Sequence, residues 1–118
     1  MRLPRKFSMT QRAEFARSRE HGKSRPGRYL VLSVLHQEDL DHFRTGFITT
    51  KKVGKAYQRN LLRRRFRAIM QKHGEQIDSQ FYIVTIARWR AIEASYEELE
   101  KDWLKQARKL GIIKSEEH

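Results

Sequence analysis

The 118-residue chain contains no cysteine, and it has only two prolines and six glycines. Without cysteine it can form neither a disulfide framework nor a zinc finger, and it has no thiol nucleophile. No stretch approaches the roughly 18–20 apolar residues of a membrane span, and no apolar run follows the basic start to make a secretory signal. These absences predict a cytoplasmic protein with no membrane partner.

Acidic residues are also scarce, with 14 Asp and Glu against 26 Lys and Arg and a formal net charge of +12. Solubility alone usually involves a net charge of about 2–8 in a small domain. The larger excess predicts binding to a polyanion. The length fits a single polyanion-binding domain at residues 1–118, with a basic arm at 1–7 and a frayed tail at 112–118.

Periodicity and turn signals predict three helices and three strands. Ser95 and Glu98 form a capping box, and Gly22 and Gly111 follow helical stretches. The predicted elements are a helix from Thr10 to about His21, a loop at 23–28, strands Tyr29–Leu35 and Arg44–Thr50, a helix from about Ala56 to His73, a strand Phe81–Ala87 and a helix from Ser95 to Gly111. The order α-β-β-α-β-α predicts an α+β fold, a two-layer sandwich in which the first two strands form an antiparallel pair.

The predicted central helix and the segment before it are strongly basic. Nine basic residues lie between Lys51 and Lys72 with no acid among them. On a helical wheel, Leu62, Phe66 and Ile69 fall on one side. The polar residues that cluster on the other side are Asn60, Arg63, Arg64 and Arg67. A solvated basic face is the simplest alternative, but so many uncompensated charges favour nucleic acid, because guanidinium groups grip phosphates in pairs and stack on bases.

The sequence gives less support to other functions. The five histidines show no metal-ligand spacing, and the acids stand beside no credible nucleophile, so we expect no active site in the protein itself. A protein-only nuclease would need a carboxylate cluster to hold metals. A DNA-binding regulator would need a helix at helix-turn-helix distance or a zipper. A ribosomal or RNA-chaperone protein stays open on charge alone.

The segment Lys51–Arg67, KKVGKAYQRNLLRRRFR, closely resembles the arginine-asparagine-arginine signature of the bacterial ribonuclease P protein subunit, K-K-x-G-K-A-V-x-R-N-x-x-K-R-x-x-R. The residues that match are Lys52, Gly54, Lys55, Ala56, Arg59, Asn60, Arg64 and Arg67, and Arg63 conservatively replaces a lysine. Weaker matches follow in the right order along the chain, from Glu14-Phe15 on the first helix to Tyr96-Glu-Glu-Leu99 on the last.

The resemblance implies a subunit that binds a large catalytic RNA, which itself removes the 5′ leader of precursor tRNA using Mg²⁺. It implies no cofactor bound by the protein alone and no catalytic residue in it. The RNA-binding residues that it implies are Lys51, Lys52, Gly54, Lys55, Arg59, Asn60, Arg63, Arg64 and Arg67. The implied fold is similar to one domain of a ribosomal protein and has a rare left-handed β-α-β crossover.

The resemblance also implies a cleft between the first helix and the sheet that contacts the single-stranded leader. The residues assigned to it are Phe15, Arg19, Ser33, Thr50 and Arg88. Arg19 and Ser33 stand where the family often has aromatic residues, on which bases could stack. We therefore expect leader contact here to depend more on charge and less on stacking.

Overall fold

The computed structural model describes residues 5–9 and 12–113 of the chain, without the side chains of residues 5, 12, 13 and 19. Its main elements in chain order are α1 (Arg12–His21), β1 (Lys23–Pro26), β2 (Leu30–His36), β3 (Arg44–Ile48), α2 (Ala56–Lys72), β4 (Phe81–Ala87) and α3 (Tyr96–Leu110). Short 3₁₀ helices occupy Arg5–Phe7, Gly74–Gln76 and Trp89–Glu93. The α+β class is therefore confirmed, and the predicted start of the first helix at Thr10 lies outside the described residues.

The four strands form one sheet in the order β1-β2-β4-β3. The segment predicted as a loop before β2 is an edge strand, β1, which pairs antiparallel with β2. The expected antiparallel pair of β2 and β3 was wrong, because β4 lies between them and runs parallel to β3. The helix α2 connects the parallel strands β3 and β4, so the predicted β-α-β unit is present, whereas its handedness and the likeness to a ribosomal protein domain stay predictions.

Helices cover both faces of the sheet. Thr45 and Phe47 of β3 point toward α2, where the Thr45 hydroxyl lies 2.9 Å from the Met70 sulfur and the Phe47 ring stacks near Phe66. Gly46, between them, points the other way, and its Cα lies against the Phe15 ring of α1. The expected two-layer arrangement thus describes the α2 and α3 side only, since α1 forms a third layer.

The helix α3 is fixed at both ends and along its buried side. The Ser95 side chain accepts from the Glu98 backbone N–H, and Gly111 ends the helix in a left-handed conformation with φ of 77°. Trp103 is fully buried, and its indole N–H donates to the Thr85 hydroxyl at 3.1 Å. The cap and the stop match the sequence prediction.

The described parts of the two predicted terminal segments are held more firmly than predicted. In the predicted basic arm, Phe7 packs on the core and stacks on Phe43 with 4.7 Å between ring centroids. At the predicted frayed tail, Ile112 and Ile113 are buried, and Ile113 bridges to Ile77. Apolar side chains therefore anchor residue 7 and residues 112–113 to the core. No helix within the described residues is long and apolar enough to cross a membrane.

Candidate RNA interface

The basic helix α2 forms where the sequence predicts it. Its apolar side is buried through Leu62, Phe66, Ile69 and Met70, which pack on the sheet face shared with α3. At its N-terminus the Lys55 backbone N–H donates to the Gln58 side chain at 2.8 Å. The first turn contains no acid, so the positive end of the helix dipole is not neutralised by a nearby side chain of α2.

The arginines of α2 point in different directions. Arg64 and Arg67 are exposed, whereas Arg59, Arg63 and Arg65 are partly buried. Arg65 is engaged inside the protein, since its guanidinium donates to the Ala94 backbone carbonyl at 3.0 Å. One arginine of the basic run therefore stabilises the fold, while Arg64 and Arg67 are exposed on the surface.

The most exposed line of α2 carries two apolar side chains that the sequence analysis did not single out. Tyr57 is 68% exposed and Leu61 is 42% exposed, and Arg64 follows one turn later on the same line. Arg59, Arg63 and Arg67 form a row on one flank, spaced four residues apart. The Arg67 guanidinium lies 5.8 Å from the ring centroid of Phe47, so this flank adjoins β3.

Hydrogen bonds hold part of this surface in place. The Arg63 guanidinium donates to the exposed Asn60 side chain at 2.8 Å. The ion pairs of the described residues are Arg44–Glu14, His21–Glu20, Lys72–Glu100 and His73–Glu100. The arginines on the exposed and flanking sides of α2 take part in none of these pairs. Their charge is therefore uncompensated by a neighbouring carboxylate in the described part of the chain.

The last turn of α2 differs, because its cations meet Glu100 of α3. Lys72 and His73 contact the Glu100 carboxylate at 2.9 and 2.8 Å. Burial by itself raises the pKa of Glu100, but the hydrogen bonds from His73 and Lys72 outweigh it and lower that pKa. The same hydrogen bond to Glu100 raises the pKa of Lys72. This turn therefore links two helices.

The loop before α2 presents three exposed lysines, Lys51, Lys52 and Lys55, while the buried Val53 anchors it. The family resemblance placed Gly54 among the RNA-binding residues, where a glycine would let a phosphate approach the backbone. In the structure the Gln58 side chain occupies that space, and a Cβ at residue 54 would lie 2.6 Å from its Oε1 atom. The glycine therefore makes room for the helix cap, and a phosphate contact at Gly54 would require Gln58 to move.

The predicted leader residues divide between the α1 face and one end of the sheet. Phe15 is partly buried against Gly46, and Arg19 lies on α1 with its side chain outside the described residues. Ser33 is only 2% exposed in the middle of the sheet, paired with Val84 of β4. Because the Ser33 side chain is buried, an RNA strand cannot contact it in this structure unless the residues that cover it move.

Thr50 and Arg88 lie at the end of the sheet where β3 and β4 finish and β2 begins, which we call the carboxyl end. Each follows a paired strand position by two residues, since Ile48 is opposite Ile86. Both side chains are exposed, and the Arg88 guanidinium donates to the Gly27 carbonyl at 2.7 Å. The structure thus brings these two predicted residues to the same end, next to the lysine loop.

Within the described ranges, no three histidine, aspartate or glutamate side chains are grouped to hold a metal ion. What the site does assemble is the row of arginines on the flank of α2, three exposed loop lysines and the carboxyl end of the sheet. Fold and site together define a small basic RNA-binding protein.

Comparison with known proteins gives the family. The ribonuclease P family model matches residues 3–111. The ribonuclease P protein component of Syntrophomonas wolfei is 34% identical over 111 residues, covering 94% of this chain and 92% of the relative. The Bacillus cereus component is 32% identical over 110 residues, covering 93% and 96%. This chain belongs to the ribonuclease P protein family.

Solved structures agree with this assignment. The Staphylococcus aureus RNase P protein superposes with a TM-score of 0.85 at 25% identity, covering 92% of this chain and 98% of that one. The Thermotoga maritima RNase P protein gives a TM-score of 0.77 at 27% identity, covering 92% and 98%. The chain is thus the accessory protein subunit of a ribonucleoprotein endoribonuclease that acts in tRNA processing. The DNA-binding regulator, the general RNA chaperone and the protein-only nuclease are replaced by this assignment.

Proposed function

We propose that this subunit binds the catalytic RNA through α2 and the lysine loop, and the 5′ leader of precursor tRNA along the α1 face of the sheet. The observation that carries the proposal is the row Arg59, Arg63 and Arg67 beside the exposed Arg64, none of which pairs with an acid in the described part of the chain. Uncompensated guanidinium groups on a rigid helix match the phosphates of a folded RNA.

The N-terminus of α2 adds to this surface. Lys51, Lys52 and Lys55 stand before a helix whose first turn carries no acid, so side-chain charge and helix dipole have the same sign there. Tyr57 is the most exposed aromatic side chain on α2, and it offers a ring for stacking or for contact with a ribose. A phosphate-rich ridge of RNA lying along α2 would meet the lysines first and the arginine row next.

The leader contact is proposed where α1 leaves the sheet open. Two contacts hold α1 toward the other end of the sheet, since Arg17 donates to Gln37 and Glu14 lies 3.6 Å from Arg44. At the carboxyl end, Val31, Ile48 and Ile86 occupy one row across three strands and are only partly buried. This apolar row leads to the exposed side chains of Thr50 and Arg88. In this proposal the single-stranded leader stacks its bases on this apolar row and places its phosphates near Arg88.

In this proposal the protein performs no chemistry. The catalytic RNA cleaves the leader with its own Mg²⁺, and the protein lowers the repulsion between two polyanions and positions the leader. The cytoplasmic location and the absence of catalytic residues in the protein stay predictions.

The test combines the protein with a bacterial ribonuclease P RNA and a precursor tRNA at low magnesium, and follows leader removal. We expect the protein to stimulate cleavage over RNA alone and to cleave nothing by itself. Precursors with leaders of one and of eight nucleotides separate the two proposed contacts. Loss of the α2 arginines should weaken both reactions, whereas Arg88→Ala should weaken only the long-leader reaction.

No stimulation by a folded protein would overturn the proposal, and cleavage by the protein alone would overturn its non-catalytic role. Equal effects of Arg88→Ala on both leaders would remove the leader assignment while leaving the α2 assignment intact. Lys105→Ala on α3 is the matched control, because it removes one exposed charge outside either surface.

A further inference from the structure

A surface pocket of about 470 Å³ lies beyond α2 and the α1 face, and the family comparison assigns it no role. It lies between the turn before β2, the 3₁₀ helix after β4 and the first turn of α3. Its lining residues are Arg28, Tyr29, Trp89, Arg90, Glu93 and Glu98. Pockets of about 300–1,000 Å³ hold small organic ligands, so one nucleotide fits this volume.

Two arginine–aromatic pairs line the pocket. The Arg90 guanidinium lies 4.9 Å from the ring centroid of Trp89, and the Arg28 guanidinium lies 5.5 Å from that of Tyr29. Trp89 is 57% exposed, although a tryptophan side chain usually buries most of its large apolar surface. Packing of the 3₁₀ helix does not account for the indole, because the buried Ala91 and Ala94 fasten that segment to the core.

The walls of the pocket are fixed before any ligand binds. On one wall, the Tyr29 backbone N–H donates to the buried Asp102 carboxylate at 2.8 Å. The Tyr29 hydroxyl donates to Glu98, and Glu98 also accepts from the Ser95 backbone N–H at 2.9 Å. On the other wall, Arg65 holds the Ala94 carbonyl. A preformed site of this kind costs little ordering on binding.

The two carboxylates of the pocket differ in whether they already accept hydrogen bonds within the protein. Backbone hydrogen bonding at Ser95 and the Tyr29 hydroxyl lower the pKa of Glu98, which is committed to the α3 cap. Partial burial and the hydrogen bond to Glu98 raise the pKa of Tyr29. Glu93 is exposed and makes no hydrogen bond or ion pair among the described residues. Glu93 is therefore the acceptor left open to a ligand.

We propose that this pocket binds one unpaired guanine nucleotide of an RNA strand. The base stacks on Trp89, its phosphate faces Arg28 and Arg90, and the Glu93 carboxylate accepts from the two adjacent N–H groups on the guanine edge. Stacking on aromatic rings and reading of the exposed base edge are the general means by which proteins recognise single-stranded RNA. Adenine, cytosine and uracil do not offer two adjacent donors to one carboxylate.

The position of the pocket favours a strand of RNA over a free nucleotide. Trp89 directly follows Arg88, and Arg88 donates to the carbonyl of Gly27, which adjoins Arg28. A strand leaving the carboxyl end of the sheet therefore reaches the pocket within one or two nucleotides. The inference rests on the proposed function only in taking RNA as the ligand.

The two tryptophans supply a local assay. Trp89 is exposed and Trp103 is fully buried, so quenching of the exposed fluorophore reports the pocket alone. We would titrate the full chain with five-nucleotide RNAs that carry one central guanosine, adenosine or cytidine among uridines. We expect saturable quenching that is strongest for the guanosine oligomer. Trp89→Phe, which keeps only Trp103, should show none.

Two further variants test the assigned roles by anisotropy of a labelled guanosine oligomer. Trp89→Ala should weaken binding by about 5- to 150-fold, the range for loss of one stacked base. Glu93→Gln should abolish the preference for guanosine over adenosine. Their matched controls are Ile92→Ala on the same 3₁₀ helix and Glu97→Gln on α3, which are exposed and do not line the pocket. Both controls should bind like the parent.

Equal quenching by all three oligomers, or an unchanged preference in Glu93→Gln, would overturn the guanine assignment. No quenching at oligomer concentrations that saturate anisotropy would overturn the pocket itself. An Arg59, Arg63 and Arg67 triple alanine variant separates the two proposals. If this variant no longer binds the catalytic RNA but still shows fluorescence quenching by the guanosine oligomer, the pocket acts independently of α2. If the parent protein binds neither the catalytic RNA nor the oligomer, the proposed function is overturned as well.

Discussion

Arg65 and Arg64 are neighbours on α2 with opposite expected roles, and their replacement by alanine tests the interface directly. Arg64 is exposed, whereas the Arg65 guanidinium donates to the Ala94 carbonyl. Because that hydrogen bond has a charged donor, Arg65→Ala should lower the free energy of unfolding by about 1.5–3 kcal/mol. Arg64→Ala should change it by less than about 0.5 kcal/mol, as is usual for a surface site.

The effects of these replacements on RNA binding should be the reverse of their effects on stability. Each phosphate contact contributes about 0.7–0.9 to the slope of log affinity against log salt. Removing Arg63, Arg64 and Arg67 together should therefore reduce the slope by about 2 to 3. Arg65→Ala should leave the slope unchanged at temperatures where that variant is folded. Urea unfolding measures the first effect, and filter binding to the catalytic RNA between low and high salt measures the second.

A single result would refute the reasoning. If Arg65→Ala reduced the salt slope as much as Arg64→Ala did, the Ala94 contact would not separate the two arginines, and the assignment of α2 faces would be wrong. Circular dichroism of each variant at the binding temperature excludes unfolding as the cause. Lys105→Ala, an exposed charge on α3, should leave both the stability and the slope at the parent values.

Two further predictions concern stability. A Cβ at Gly46 would lie 2.4 Å from the Phe15 ring, so Gly46→Ala should displace that ring and lower the free energy of unfolding by about 1–3 kcal/mol. Gly74→Ala is the control and should lower it far less, because nothing lies within 4 Å of a Cβ there. Equal urea midpoints for the two variants would contradict this prediction. The lowered pKa of Glu100 gives stability that is present above its ordinary pKa of 4.5 and is lost as pH falls through the lowered value. Glu100→Gln should therefore make the melting temperature depend less on pH below about pH 5. The same fall in melting temperature at acid pH in the parent and the variant would contradict this prediction.

The sequence predicted the elements that carry their own periodic pattern. The strand at Phe81–Ala87 and the helix ended by Gly111 match the structure, because each has an apolar pattern and clear stop signals. The strand Lys23–Pro26 could not be found that way. All four of its side chains are exposed, and Pro26 ends it, so only pairing with β2 makes it a strand.

The order in which the strands pair could not be predicted from the sequence for a related reason. The strands Leu30–His36 and Arg44–Ile48 are consecutive, and consecutive strands usually pair. Here α2 packs on the sheet and returns the chain so that Phe81–Ala87 enters between them. Local patterns contain no information about that insertion, because it depends on how α2 and α3 share one face.

The same limit applies to the site. A helical wheel separates buried from exposed sides, and it correctly placed Asn60, Arg64 and Arg67 outside. It could not identify Arg65 as an internal donor, because the acceptor is a backbone carbonyl 29 residues away. Nor did the pattern of β2 show that Ser33 is buried. Both outcomes depend on tertiary contacts with segments that the wheel does not include.

Topology explains why the cations meet. Because β3 and β4 are parallel and β2 is antiparallel to β4, the start of β2 and the ends of β3 and β4 all lie at the carboxyl end of the sheet. Three separate basic segments therefore converge there, at residues 28, 51–55 and 88–90. Charge repulsion among them opposes folding, and a bound RNA relieves it. Added RNA should therefore raise the thermal stability of the parent chain more than that of a variant lacking Lys51, Lys52 and Arg88, and equal increases would argue that this end of the sheet does not meet RNA.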